Sequence, residues 1–377
     1  MPLESPNLLR SVIHSHTEKK TFIALAAKIT RWEEVIESAR YHGVLPMLYS
    51  KLQGLEEVIP SNAMDLARSE YERNAFHCMA NAAELLAVLG EFTANGIAAM
   101  PFKGVALAAS AYKDLTARAA GDLDLLIYRQ DLHQATDILK QRGYELKTNV
   151  LEDGSPEGTD CFEFHFERPT DGLVLELRWR LELTRHLRRD FGMTWVWPQH
   201  RMADLAGAQI PNLDPVSALL VLCMHGSKHG WRRLIWICDV AKLIESEPKL
   251  DWDFARWEAR RVGLFRCLAL GVLLANRCAG AQVPPDVLRE LSEDRRARTI
   301  AEFLDNHVAQ EPGRMPDGLI PYNIRLLDFR DRARAVLSPG FLRPRERDRA
   351  FIKLPKALDP LYFLIRPLRL LLDRSGR

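Results

Sequence analysis

The sequence predicts an α+β protein in which a small mixed sheet, with helices on one side, sits between helical segments. Three observations predict it. Residues 122–127, DLDLLI, alternate with the period of a strand and send Leu123, Leu125 and Ile127 to one face and Asp122, Asp124 and Leu126 to the other. Residues 172–181, GLVLELRWRL, divide in the same way, with Leu173, Leu175, Leu177 and Trp179 opposed to Val174, Glu176, Arg178 and Arg180. The chain before and after this region carries the apolar spacing of helices.

Taken in order, residues 1–95 read as a helical N-terminal region. Trp32, Val35, Ile36 and Ala39 fall on one helical face, Gly43 and Pro46 punctuate the chain, and a long periodic stretch covers residues 66–92. Residues 96–210 form the sheet-containing core. It starts with an apolar strand at 96–102, followed by Lys103-Gly104 at a tight strand-to-helix turn and then the 122–127 strand. A helix is expected over 129–142, with Leu132, Ala135, Ile138 and Leu139 as its stripe and Gly143 closing it. Residues 161–168 and 172–180 alternate around the turn Pro169-Thr170-Asp171-Gly172, so they read as a hairpin. Residues 182–210 give two readings: Arg185, His186, Arg188 and Arg189 beside Trp195 and Trp197 meet a nucleotide or polyanionic acceptor, or they form a solvated loop with two packed indoles.

Asp214-Pro215 is a helix-start signal, and residues 211–310 read as a second helical domain. Residues 311–377 are a basic, proline-containing segment. Within it, residues 312–377 hold 15 Lys+Arg against 7 Asp+Glu, a local +8 that leaves −6 for residues 1–311 of a chain whose formal net charge is +2. Charge so interrupted by acids and prolines does not make a continuous basic face, so nucleic acid is a possible but not a favoured partner, and no stable membrane attachment is expected.

A chain of 377 residues, 47% hydrophobic, is long enough for a sizeable core. Its six cysteines lie far apart without a C-x-x-C pair, which suits reduced thiols in a cytoplasm. The short apolar stretch at 22–27 follows Glu18, Lys19 and Lys20 and does not read as a secretory leader. No run of eighteen apolar residues is present, so no membrane span is expected.

The chemistry concentrates at the two strands. Asp122 and Asp124 share one strand face beside a glycine turn where a backbone can approach a phosphate, and Glu176 sits among apolar neighbours on a strand that is otherwise core. Two acids on one face, closed by a third, suit a divalent ion carrying a polyphosphate. Lys103-Gly104, Gly121-Asp122-Leu123-Asp124, Leu175-Glu176-Leu177 and His225-Gly226-Ser227-Lys228-His229-Gly230-Trp231 together resemble a bacterial nucleotidyltransferase-like family of the polymerase-β-type superfamily, over roughly residues 35–245. One departure is that the superfamily's Gly-Ser pair stands here as Lys103-Gly104, farther from Asp122 than the superfamily norm.

The resemblance implies a polymerase-β-type nucleotidyltransferase core and transfer of a nucleoside monophosphate from an NTP, ATP among them, to an acceptor hydroxyl on a small molecule, peptide or protein. It implies two Mg²⁺ (or Mn²⁺), with Asp122 and Asp124 on both ions and Glu176 on the one that activates the acceptor. Lys103 and Gly104 would meet phosphate; the other reading of Lys103 is an ordinary surface lysine at a strand end. Arg118 would reach a phosphate or pair with Asp122. His225, Lys228, His229 and Trp231 would wall the nucleotide cleft, with Lys228 on the triphosphate and the aromatic near the base. Two other readings of the histidine motif are satisfied core histidines and a zinc pair, but a zincin needs glutamate directly after the first histidine and this chain has Gly226. Asp239, in an apolar helix, reads as a structural anchor wanting Arg232, Arg233 or a histidine as partner. The alternative to an enzyme is a catalytically silent nucleotide-binding or interaction protein of the same fold.

Overall fold

The alternation of residues 122–127 becomes the middle of a sheet. A computed structural model describes residues 4–119, 121–150, 162–181, 191–307, 326, 349, 351–352, 354–363 and 365. In it, β1 (Ala99–Pro101) pairs antiparallel with β2 (Asp122–Ile127). The next strands in sequence, β3 (Glu145–Leu146), β4 (Glu163–Arg168) and β5 (Leu173–Arg178), pair antiparallel with one another, and β5 lies parallel to β2. The sheet order is therefore β1-β2-β5-β4-β3, a five-stranded mixed sheet in an α+β fold, as the alternation predicted.

The helices on the apolar face are α5 (Ser61–Ala94) and α7 (Leu132–Gln141). Leu85, Val88 and Phe92 of α5 and Ile138 and Leu139 of α7 pack with Leu123, Leu125, Ile127, Phe164, Phe166, Leu175 and Leu177 in one buried cluster. Each such side chain, fully buried, contributes about 1.5–3 kcal/mol. Both strand faces are thus divided as the sequence implied, and the polar face is left for chemistry.

The other helices form a second cluster. Before the sheet come α1 (Glu4–Ile13), α2 (Lys19–Ala26), α3 (Trp32–His42) and α4 (Leu45–Leu52); α6 (Gly104–Leu107) follows β1. After α8 (Met193–Val196) and the hairpin β6 (Arg201–Leu205) and β7 (Ala208–Asn212) come α9 (Pro215–Lys228), α10 (Leu234–Ser246), α11 (Trp252–Val262), α12 (Phe265–Ala279), α13 (Pro285–Glu293) and α14 (Arg295–His307). The start of α9 is fixed as the Asp214-Pro215 signal predicts, with the Asp214 carboxylate accepting the Val216 and Ser217 amides at 3.0 and 3.2 Å. Leu8, Leu9, Leu48 and Leu52 from the N-terminal helices share one core with Leu219, Trp231 and Leu268 from the later ones. The segments 1–95 and 211–310, separate in sequence, thus meet in one apolar body, and Met100, Phe102 and Leu126 join the sheet to it.

Several elements differ from the expectation. The strand expected over 96–102 pairs over three residues only, and the helix after Lys103-Gly104 is a single turn continuing into a π turn at Ala108–Tyr112. The helix expected over 129–142 opens with a 3₁₀ turn at Arg129–Asp131. The β6–β7 hairpin lies where no strands are expected, because its turn, Ala206-Gly207, reaches positive φ at both residues without the usual Asn-Gly signal. Trp195 donates to Glu258 Oε1 at 2.7 Å and Trp197 stacks on His200 at 4.3 Å, so both indoles are packed. The basic cluster at 185–189 and nearly all of segment 311–377 lie outside the described residues. Cys78, Cys223, Cys238, Cys267 and Cys278 are buried free thiols, and no helix among the described residues is long and apolar enough to cross a membrane.

Candidate metal and nucleotide site

Strand register brings the three acids together. In the parallel pair, Asp124 lies opposite Glu176 and Asp122 opposite Val174, so the three carboxylates rise from one face of two hydrogen-bonded strands. One oxygen of each lies within 4.8 Å of the others, and among the described residues they are the one cluster of His, Cys, Asp or Glu suited to an ion. Asp124 is the deepest of them. It is buried, and neither of its oxygens accepts a hydrogen bond. Lys103 Nζ stands 2.9 Å from Oδ1 as an ion pair without hydrogen-bond alignment, and Arg178 Nε lies 3.9 Å away. Burial raises the Asp124 carboxyl to about 7; the Lys103 cation works against this, while Asp122 and Glu176 add to it.

Three residues that sequence reasoning missed complete this face. Across the β4–β5 pair, Glu163 lies opposite Arg178 and His165 opposite Glu176. Arg178 bridges Glu163 and Glu176, and His165 reaches both acids, with Nε2 3.3 Å from Glu163 and Nδ1 3.4 Å from Glu176. Burial pushes Glu176 up, but the Arg178 charge and hydrogen bond outweigh it and hold the carboxyl below its ordinary range. The signal was available: Glu163, His165 and Glu167 alternate with Phe164 and Phe166, and the turn at 169–172 fixes which of them face Glu176 and Arg178.

The Lys103-Gly104 turn abuts this floor. Gly104 has φ +60°, and a Cβ there would come 3.1 Å from the Asp122 carbonyl oxygen, so both the left-handed backbone and the close approach call for glycine. The Lys103 side chain is only 11% exposed and is committed to Asp124, which rules out a plain surface lysine.

Arg118 departs from both expectations. Its guanidinium takes Asp239 in a two-pronged pair, Nε to Oδ1 at 2.7 Å and Nη2 to Oδ2 at 2.9 Å, and Nη1 donates to the Ala119 carbonyl. Tyr112 donates to the same Asp239 at 2.8 Å. The partner of Asp239 is therefore Arg118 with Tyr112, in place of Arg232, Arg233 or a histidine. Arg118 ties the loop before β2 to α10, and its donors are not turned to a phosphate.

The C-terminal end of α9 looks onto the polar face. Burial, then Lys103, then His229 and Arg178 hold His225 well below its ordinary pKa, and burial with Lys228 and Lys103 takes His229 down to about 4. Both imidazoles are neutral at pH 7. Lys228 acts on Glu163 from the same end. Trp231, expected near the base, is instead wholly buried at φ +54° and lies against Gly226, where an added Cβ would sit 2.4 Å from its ring. Trp236 takes the place beside the histidines, 5.4 Å from His225 and 5.3 Å from His229.

A family described as an uncharacterised nucleotidyltransferase matches residues 29–280, more than half of the chain. The chain belongs to this nucleotidyltransferase family. The comparison with curated proteins gives no match. The matched residues include all five strands of the sheet and α9, the elements that carry the acids and Lys228. A divalent ion fits the residues present: Asp124 offers two buried oxygens without an aligned hydrogen bond, Oδ1 facing the Lys103 cation, and one oxygen from each of two further carboxylates lies within 4.8 Å.

Proposed function

We propose that this nucleotidyltransferase moves a nucleoside monophosphate from an NTP to an acceptor hydroxyl, using two Mg²⁺ or Mn²⁺ ions held by Asp122, Asp124 and Glu176. The observation that carries this reading is the buried Asp124 carboxylate, which faces Lys103 as an ion pair, accepts no aligned hydrogen bond and is flanked by two more acids. Ions bound there would neutralise charge on the transferring α-phosphate and favour the ionised acceptor oxygen. The acceptor oxygen bonds to the α-phosphorus, the bond to the β-phosphate oxygen breaks, pyrophosphate leaves and the acceptor proton goes to solvent.

The chain's own residues do the rest by position. Lys103 and Arg178 balance the acids before substrate arrives, and Lys103, at the turn beside Asp122, would exchange Asp124 for a phosphate oxygen. Lys228 brings a further cation from α9 to the donor triphosphate. His225 and His229, kept neutral, can donate or accept a hydrogen bond without adding charge. The same balancing by Lys103 and Arg178 favours a second reading, a catalytically silent binder in which these cations stand permanently in place of ions.

Incubation with NTPs labelled at the α-phosphate, Mg²⁺ and cell extract as acceptor source separates the two. Label should pass to a defined species with release of pyrophosphate, and Asp122→Asn with Asp124→Asn should lower transfer at least about a thousandfold. Lys228→Ala should weaken NTP binding about tenfold and leave the fold intact. A wild-type protein that binds NTP and releases no pyrophosphate in any extract is the silent binder.

A further inference from the structure

A second cavity of about 750 Å³ opens between α1, α4, the π turn and α10. Its size is that of sites for nucleotides and other small ligands. Three lysines from three separate elements line it: Lys51 on α4, Lys113 at the end of the π turn and Lys242 on α10. We propose that this cavity is a binding site for a small phosphorylated anion, distinct from the acidic face and independent of the transferase reading.

Charge carries the proposal. The Lys51 ammonium is half-buried and donates to the Ser11 carbonyl at 2.7 Å; among the described residues no carboxylate lies within ion-pair distance of it. Burial, and after it the Lys242 charge, holds its pKa below the ordinary value, so two like charges share this space. His14, another lining residue, is also held down by burial, by His16 and by Lys51. Two acids line the cavity, and both are engaged. Glu245 pairs with Lys242 at 2.7 Å, and Asp114 accepts the amide and hydroxyl of Thr116 at 2.8 and 2.9 Å. A partly buried cation without a counter-charge is costly, and an anion with several acceptor oxygens offsets that cost for Lys51, which faces the Ser11 carbonyl and the Phe22 ring at 5.8 Å, while giving Lys242 an acceptor beyond its pairing with Glu245. The chain's own segment 312–377 is a poor occupant because it carries a surplus of Lys and Arg over acids.

Pyridoxal phosphate tests this on the unmodified protein, since its aldehyde condenses with an unprotonated amine while its phosphate seeks an anion site. After borohydride reduction in EDTA, peptide mapping should find Lys51 or Lys242 labelled ahead of exposed Lys19 and Lys20, with inorganic pyrophosphate at about 10 mM protecting them. Uniform labelling, or no protection, overturns the proposal. By calorimetry in EDTA, pyrophosphate affinity should fall at least about tenfold in Lys51→Gln with Lys242→Gln and stay within about twofold in Lys103→Gln. The opposite pattern assigns the anion to the acidic face, and no binding to the wild type also overturns the proposal. A nucleotide panel against a sugar-phosphate panel, run on Lys103→Gln, then identifies which source of phosphate the cavity takes.

Discussion

Asp124 shows how far one residue's surroundings can set its chemistry. In the folded chain its carboxyl keeps a proton up to about pH 7, against an ordinary value of 3.8. Between those values the folded state binds the extra proton, so this residue's contribution to the stability of the metal-free protein falls as pH rises through the window and is level above it. A divalent ion competes with that same proton. Mn²⁺ affinity measured by calorimetry should therefore rise with pH by up to about tenfold per unit and level off above about pH 7. An affinity that is flat from pH 5.5 to 8.5 would contradict the burial argument. The faces of Asp122, Asp124 and Glu176 were legible in the sequence because alternation fixes a strand side chain's face, whereas the pairing of their two strands shows only in the sheet. The pairing of Arg118 with Asp239 was not legible, since the two are 121 residues apart and only the packing of α10 on the loop before β2 joins them.

At the scale of elements, the β4–β5 hairpin and the end of α9 deliver the side chains. The turn at 169–172 marks the hairpin in the sequence, and the register across it sets Glu163 opposite Arg178 and His165 opposite Glu176. The motif at 225–231 was visible, but its division of labour was not. Trp231 goes inward because Gly226 leaves the space its indole fills, and that leaves Trp236 beside the histidines. Gly226→Ala should destabilise the protein by about 1–3 kcal/mol or more in denaturant unfolding, the cost of overpacking a filled core. Free accommodation of that methyl would mean that Trp231 does not hold the end of α9 in place.

For the whole molecule, the sheet and its Lys103 turn supply acids and their balancing cations on one face, and a helical body brings Lys228 and the two imidazoles of α9 toward it. The helices before the sheet share a core with those after it: Leu8 and Leu9 of α1 are buried in the same cluster as residues of α9 and α12, although the family match begins only at residue 29. Sequence periodicity identified these helices individually. Their union could not be read from it, since an apolar stripe states that a face is buried and not against what. The account depends on that union placing the α9 wall over an ion site. The most direct measurement is the anomalous scattering of Mn²⁺ in crystals grown with a non-hydrolysable NTP analogue. The account predicts peaks among Asp122, Asp124 and Glu176, with the triphosphate running toward Lys103 and Lys228. Density for the analogue with no ion among those carboxylates, or an ion bound at His225 and His229 instead, would contradict it.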